Sequence, residues 1–136
     1  MTKRTRNIHG DWTMSYEDQI LKSTLIGAFN QEANLSWFNE VKQTVTTSSR
    51  SKKYWVALLD AQNWEMSSQG NQETNEEIMN QLMVLGCLGL YMVFSKKVQE
   101  FALKEEMQEQ SFLQSFFDYD EAYQACLDVL AEAKNR

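Results

Sequence analysis

Residues able to do chemistry are few in this 136-residue chain, and they are poorly placed to work together. It has one histidine, His9, and two cysteines, Cys87 and Cys126. A catalytic triad needs a nucleophile, an imidazole and an orienting acid, and a zinc site needs three or four nitrogen or sulfur ligands, so neither can be assembled around His9. Each cysteine lies in an apolar stretch, where a thiol behaves as a small core hydrophobe. Acidic groups occur at Glu76 with Glu77, at Glu105 with Glu106, and at Asp118 with Asp120 and Glu121. The first and last of these open helices, where carboxylates complement the helix dipole. Asp118-x-Asp120 also lacks the later ligands and the glycine of a calcium loop. Asp60 ends a continuous apolar run and is a candidate base or ligand. No second acid, histidine or nucleophile is spaced to assist it, so its expected role is to accept hydrogen bonds from the loop that follows. The reading is a non-enzyme with no catalytic residue, metal site or cofactor.

What remains is a set of candidate contact residues: Asn30, Asp60, Trp64, Glu65, Ser67, Ser68 and Ser95. Trp64 is an indole among polar neighbours, and such a residue is either tucked over the end of a sheet or offered to a partner. Ser67 and Ser68 precede a helix, whose N-terminal dipole tolerates a phosphate, and they are the candidate phosphorylation sites.

The elements that must position these residues follow from periodicity. Residues 8–16 alternate, with Trp12, Met14 and Tyr16 on one face, and a turn at 17–19 leads into a second strand at 20–29, which makes a hairpin. Asn30 is placed as the N-cap of a helix over 31–46 that buries Trp37, Phe38, Val41 and Val45. Residues 54–59 form a strand covered on both faces and ended by Asp60. A polar loop at 61–73 leads to Thr74-Asn75-Glu76-Glu77, which has capping-box spacing and predicts a helix burying Ile78, Met79, Leu82, Met83 and Leu85. Gly89 is expected to stop that helix. A strand at 90–94 follows, then a helix capped by Ser95 and carrying Val98, Phe101, Ala102 and Met107. A short strand at 112–117 precedes a final helix with Ala122, Cys126, Val129, Leu130 and Ala133 at steps of three and four. The order is ββαβαβαβα. It predicts an α/β class, single-domain chain over 8–136, after a flexible segment at 1–7, with a mixed, mostly parallel sheet and helices on both sides. Ligands of such sheets bind outside the carboxyl ends of the strands.

Composition narrows the functions. The net charge is −6, and beyond Lys3, Arg4 and Arg6 the chain has ten bases against nineteen acids, so a phosphate backbone or anionic membrane is repelled by most of the surface and nucleic acid is not expected as a partner. The longest apolar run, 82–94, is too short for a membrane span of about 20 residues. Two thiols in apolar stretches, with no signal-peptide pattern, lead to the expectation of a reducing, cytoplasmic compartment.

Taken in order, His9-Gly10-x-Trp12, the Tyr54-Trp55-Val56-Ala57-Leu58-Leu59-Asp60 strand with Trp64 four residues on, and Phe116-Phe117-Asp118-x-x-Glu121-Ala122 resemble the SpoIIAA-like, or STAS-like, superfamily of bacterial domains over about residues 8 to 133. The resemblance implies that fold and a regulatory or signalling role through protein binding. Members related to anti-sigma factor antagonists often carry Asp-Ser-(Ser/Thr)-Gly at the start of the helix after the central strand, with the serine phosphorylated. Here the matching stretch runs from Asp60 to Gly70. No aspartate precedes Ser67 and Ser68, and Gly70 comes two residues after Ser68. The chain therefore resembles a looser branch, similar also to lipid-transfer CRAL-TRIO domains. The functional expectation is a regulatory or scaffolding module binding an unidentified protein or a second copy of itself. The alternative is a small apolar ligand or lipid in a pocket between the sheet and a helix, with Met66, Met79 and Met83 as adaptable lining.

Overall fold

The computed structural model describes residues 9–48, 54–65, 72–106 and 112–135. The 1–7 segment, Met66, Ser67, Ser68 and Met107 lie outside the described residues. The strands are β1 (Asp11–Glu17), β2 (Ile20–Ala28), β3 (Trp55–Glu65), β4 (Cys87–Val93) and β5 (Leu113–Phe116). The helices are α1 (Gln31–Ser48), α2 (Gln72–Val84), α3 (Lys97–Glu106) and α4 (Tyr119–Lys134). The chain follows the predicted ββαβαβαβα order, and the five strands lie side by side as β1-β2-β3-β4-β5. The β1–β2 pair is antiparallel and the other pairs are parallel.

That sequential order decides where the helices go. Right-handed crossovers between strands laid down in one direction put every crossover helix on the same face. Accordingly α1, α2 and α3 send Val41, Leu82, Leu103 and their neighbours into one core with Trp12, Leu21, Leu59 and Met92. Helix α4, which follows β5, packs on the other face, where Ala122 and Cys126 meet Ile20, Val56, Leu58 and Val93. The expected helices on both sides are present, divided three to one. The parallel strands never reverse their order, so the sheet has no switch-point crevice of the kind that holds ligands in doubly wound folds.

Several local expectations are corrected. The β3 strand does not end at Asp60 but continues to Glu65 through a register shift: Thr24 pairs Asp60, whereas Ile26 pairs Asn63. The extra residue on β3 re-aims the strand, so Trp64 enters the same core as Leu59 and Ala61 although the sequence alternation alone would send it to the opposite face. Helix α2 begins before Thr74, which sits in the first turn and is not the cap. The capping-box glutamate, Glu77, instead accepts from Gln81 Nε2 one turn on.

Gly86, at φ +99°, ends α2, and Gly89 lies in β4. A Cβ on Gly89 would come within 3.1 Å of the Phe112 carbonyl oxygen, so its place is the close approach to the start of β5. Met83, expected in the core, is 42% exposed because it lies on the outer side of α2 from Met79 and Leu82.

Candidate functional site

The carboxyl end of the sheet is held together by Gln99, one of the two buried polar residues among those described. Its Nε2 donates to the carbonyls of Ala61, Gln62 and Trp64, at 3.1, 3.2 and 2.7 Å. Its Oε1 accepts from the backbone amides of Ser95 and Lys96, both at 2.9 Å. The second contact is half of a capping box, a side chain reaching back to the donor at the helix start. Gln99 thus closes the N-terminus of α3 and fastens it to the far end of β3 in one step. It also fixes which side of α3 faces inward: Gln99 and Leu103, one turn apart, are buried, whereas Val98 and Phe101 are 51% and 65% exposed. That turns the inward face by about a third of a turn from the one expected from the apolar positions, and Ser95 is not the side-chain cap. Ser95 Oγ donates to the Gln62 carbonyl at 2.8 Å and adds a second tie between the same two segments.

The other candidates take up internal roles. Asn30 is the N-cap of α1 as expected: its Oδ1 accepts from Ala33 N at 2.9 Å and also from His9 N at 3.1 Å, so it anchors the chain ahead of β1. Gly10, at φ +106°, lets the Phe29 ring lie against that segment, since a Cβ there would fall 2.5 Å from the ring. Asp60 accepts from Gln62 N and from Gln62 Nε2, both at 3.1 Å, which is the local hydrogen bonding anticipated for it. Burial first, and then the nearby Asp60 carboxylate, hold the Tyr119 phenol above its ordinary pKa. Trp64 is tucked in: it is 5% exposed, with its ring 6.4 Å from that of Phe94. Glu65 is exposed at the end of β3. Among the described residues, no group of three or more His, Cys, Asp or Glu side chains is placed to hold a metal ion, and no helix is long and apolar enough to cross a membrane.

What the carboxyl half of the sheet does offer is a cavity of about 90 Å³ between β2–β4 and the three-helix layer. Leu59, Leu90 and Met92 form its floor, Ile78, Met79 and Leu82 of α2 its roof, and Phe29, Trp37, Trp64 and Leu103 its sides. Met79 lines it as anticipated. Met83 does not, and Met66 lies outside the described residues. The polar groups on its wall are the carboxamides of Asn34 and Asn75, which bond to each other at 3.0 Å across the seam between α1 and α2. One turn outward, Gln31 Nε2 donates to Thr74 Oγ1 at 2.9 Å. The first turns of the two helices are therefore joined by side-chain hydrogen bonds over an apolar space. Sequence reading missed Gln99, Asn34 and Asn75, because polar residues at helical positions read as solvent-facing. The only available signal was their placement in the first turns of helices that follow parallel strands.

No protein-family model matches the sequence, and no curated protein shows significant similarity to it. Ten chains of known structure do match. Among them is the crystal structure of an uncharacterised protein of the DUF3478 family from Shewanella loihica PV-4, described as having a SpoIIAA-like fold. It superposes with a TM-score of 0.60 at 13% sequence identity, over 91% of this chain and 99% of that one.

Proposed function

From a SpoIIAA-like fold as the premise, we propose that this chain is a non-enzymatic binding module whose ligand is a small apolar molecule held between the sheet and the α1–α2 layer. The observation that carries this reading is the apolar cavity roofed by α2. Ligand sites are typically apolar hollows with a few placed polar groups, which describes this cavity and its two asparagines. Size sets the class, since the space is smaller than the roughly 150 Å³ apolar cavity that takes benzene. It accepts a short chain or a small ring.

The competing reading, a protein-interaction module, is favoured by a different observation: Val98 and Phe101 present apolar surface on the outward side of α3, and Phe117 is exposed beside Phe94. Of the contact edge envisaged for it, Trp64 is packed inside, while Asn30 and Asp60 stay partly exposed. Native mass spectrometry of the purified full chain tests both. A small-mass adduct, co-purified or formed with added 1-butanol, is expected in the wild type and reduced in Leu103→Phe, which narrows the cavity. A protein-sized adduct that disappears in Phe101→Glu, with no small-mass adduct, would put the interaction reading in its place.

A further inference from the structure

We infer that the ligand is a small primary amine, its apolar body in the cavity and its protonated nitrogen at the outer end of the α1–α2 seam; this rests on the pocket reading above. The cavity is the site, and the seam selects what enters it. Asn34 and Asn75 line the inner, apolar space and bond to each other across the seam. Directly outside, Gln31 and Thr74, also bonded to each other, line a second hollow of about 350 Å³ together with Leu35, Glu73 and Glu77. The two bonded pairs thus follow one another along the seam between the helices, and a ligand that replaces those bonds with its own polar end extends from the inner space towards the outer hollow.

Charge decides which polar end fits. The first turns that meet at the seam carry Glu32 on α1 and Glu73 on α2, with Glu76 and Glu77 following on α2. Helix α2 contains no lysine or arginine, and the first cation on α1 is Lys42, near its far end. The two helix N-termini contribute about half a positive charge each. The carboxylates of Glu73 and Glu77, which line the outer hollow, carry two full negative charges and outweigh them, so a carboxylate or phosphate end is repelled there. A hydroxyl end gains only the carboxamide hydrogen bonds. An ammonium gains those and the Coulomb attraction, and an alkylamine, like a lysine side chain, is protonated at pH 7.

The test titrates the full chain with n-butylamine, 1-butanol and butyrate at matched ionic strength and pH 7, following the emission of Trp37 and Trp64, which line the cavity. Butylamine is expected to bind about fivefold more tightly than butanol, the size two exposed charge pairs supply, with butyrate weakest. Glu73→Gln combined with Glu77→Gln is expected to erase that preference. Equal or tighter binding of butanol or butyrate, or a preference that survives the double substitution, overturns the amine assignment and leaves the pocket standing. If none of the three binds, the pocket reading falls and the assignment with it.

Discussion

Gln99 shows how much a single carboxamide can organise when both of its ends are used. Three strand-end carbonyls lie on its nitrogen and two backbone amides on its oxygen, all in a place with little water. Gln99→Leu preserves bulk but strands those groups, and a buried polar group without a partner costs about 1–3 kcal/mol. A loss of about 2–4 kcal/mol in urea unfolding is expected, because some of the stranded groups will find solvent. Gln99→Glu keeps the acceptor for the Ser95 and Lys96 amides but turns carboxylate oxygens towards the carbonyls, and should be at least as damaging. If Gln99→Leu unfolds at the wild-type urea midpoint, the clamp is not holding α3. This residue was illegible beforehand for a plain reason: in the run from Lys96 to Phe101 the apolar positions are Val98 and Phe101, and periodicity takes apolar positions for the inner face. The inner face is set instead by unpaired carbonyls on β3, which belong to a different part of the chain. Trp64 was half legible, since its tendency to pack was clear from its chemistry while its direction depended on a bulge that breaks the alternation.

At the scale of the element, caps and stops separate what local sequence can specify from what it cannot. Asn30 was readable because an N-cap needs only a side-chain oxygen ahead of a periodic run, and here it accepts from both Ala33 and His9. Thr74 had the same local appearance, followed by glutamate at the capping spacing, yet α2 had already begun by then. Its hydroxyl instead meets Gln31 of another helix, a contact no local pattern contains. The two alanine substitutions should therefore differ. Asn30→Ala is expected to lose about 1–2 kcal/mol, the usual cost of removing a side-chain cap. Thr74→Ala should lose only a few tenths to about 1 kcal/mol, as for an exposed hydrogen bond. Thermal or urea unfolding of the pair checks this, and a Thr74→Ala loss as large as that of Asn30→Ala would restore Thr74 to the role of cap. The helix stop was misplaced for a similar reason: Gly86 and Gly89 are equally plausible in sequence, and only the register of β4 against β3 decides that Gly86 takes the left-handed conformation.

At the scale of the whole molecule, the element order and the mixed sheet were legible because each strand and helix carries its own period, and the chirality of crossovers limits how such a series can be laid down. The three-to-one division of helices follows from the sequential strand order, which no local pattern states, and the cavity follows from how three helices meet over one face. That division also separates the thiols. Cys87 lies in the core beneath α1–α3 and Cys126 in the core beneath α4, on opposite faces of the sheet. Burial is the leading cause that pushes each thiol up from 9.0 to about 12; Gly89 and Ala57 backbone hydrogen bonds oppose it at Cys87, and Lys22 opposes it at Cys126. The sign of the consequence is fixed: between pH 9 and 12 the unfolded chain releases thiol protons that the folded chain keeps, so ionisation favours unfolding. Stability owed to these groups is complete below pH 9 and declines above it, by up to about 1.4 kcal/mol per pH unit for each thiol. Lysine and tyrosine also titrate there, so the informative comparison is between variants. Cys126→Ala is expected to be less stable than wild type at pH 7 but to show a shallower decline from pH 9 to 11 in urea unfolding. In the folded protein at pH 8, both thiols should resist a charged disulfide reagent and react only as the chain unfolds. Parallel decline curves for the two proteins, or rapid labelling of the native state, would show that the thiols are not held protonated by burial.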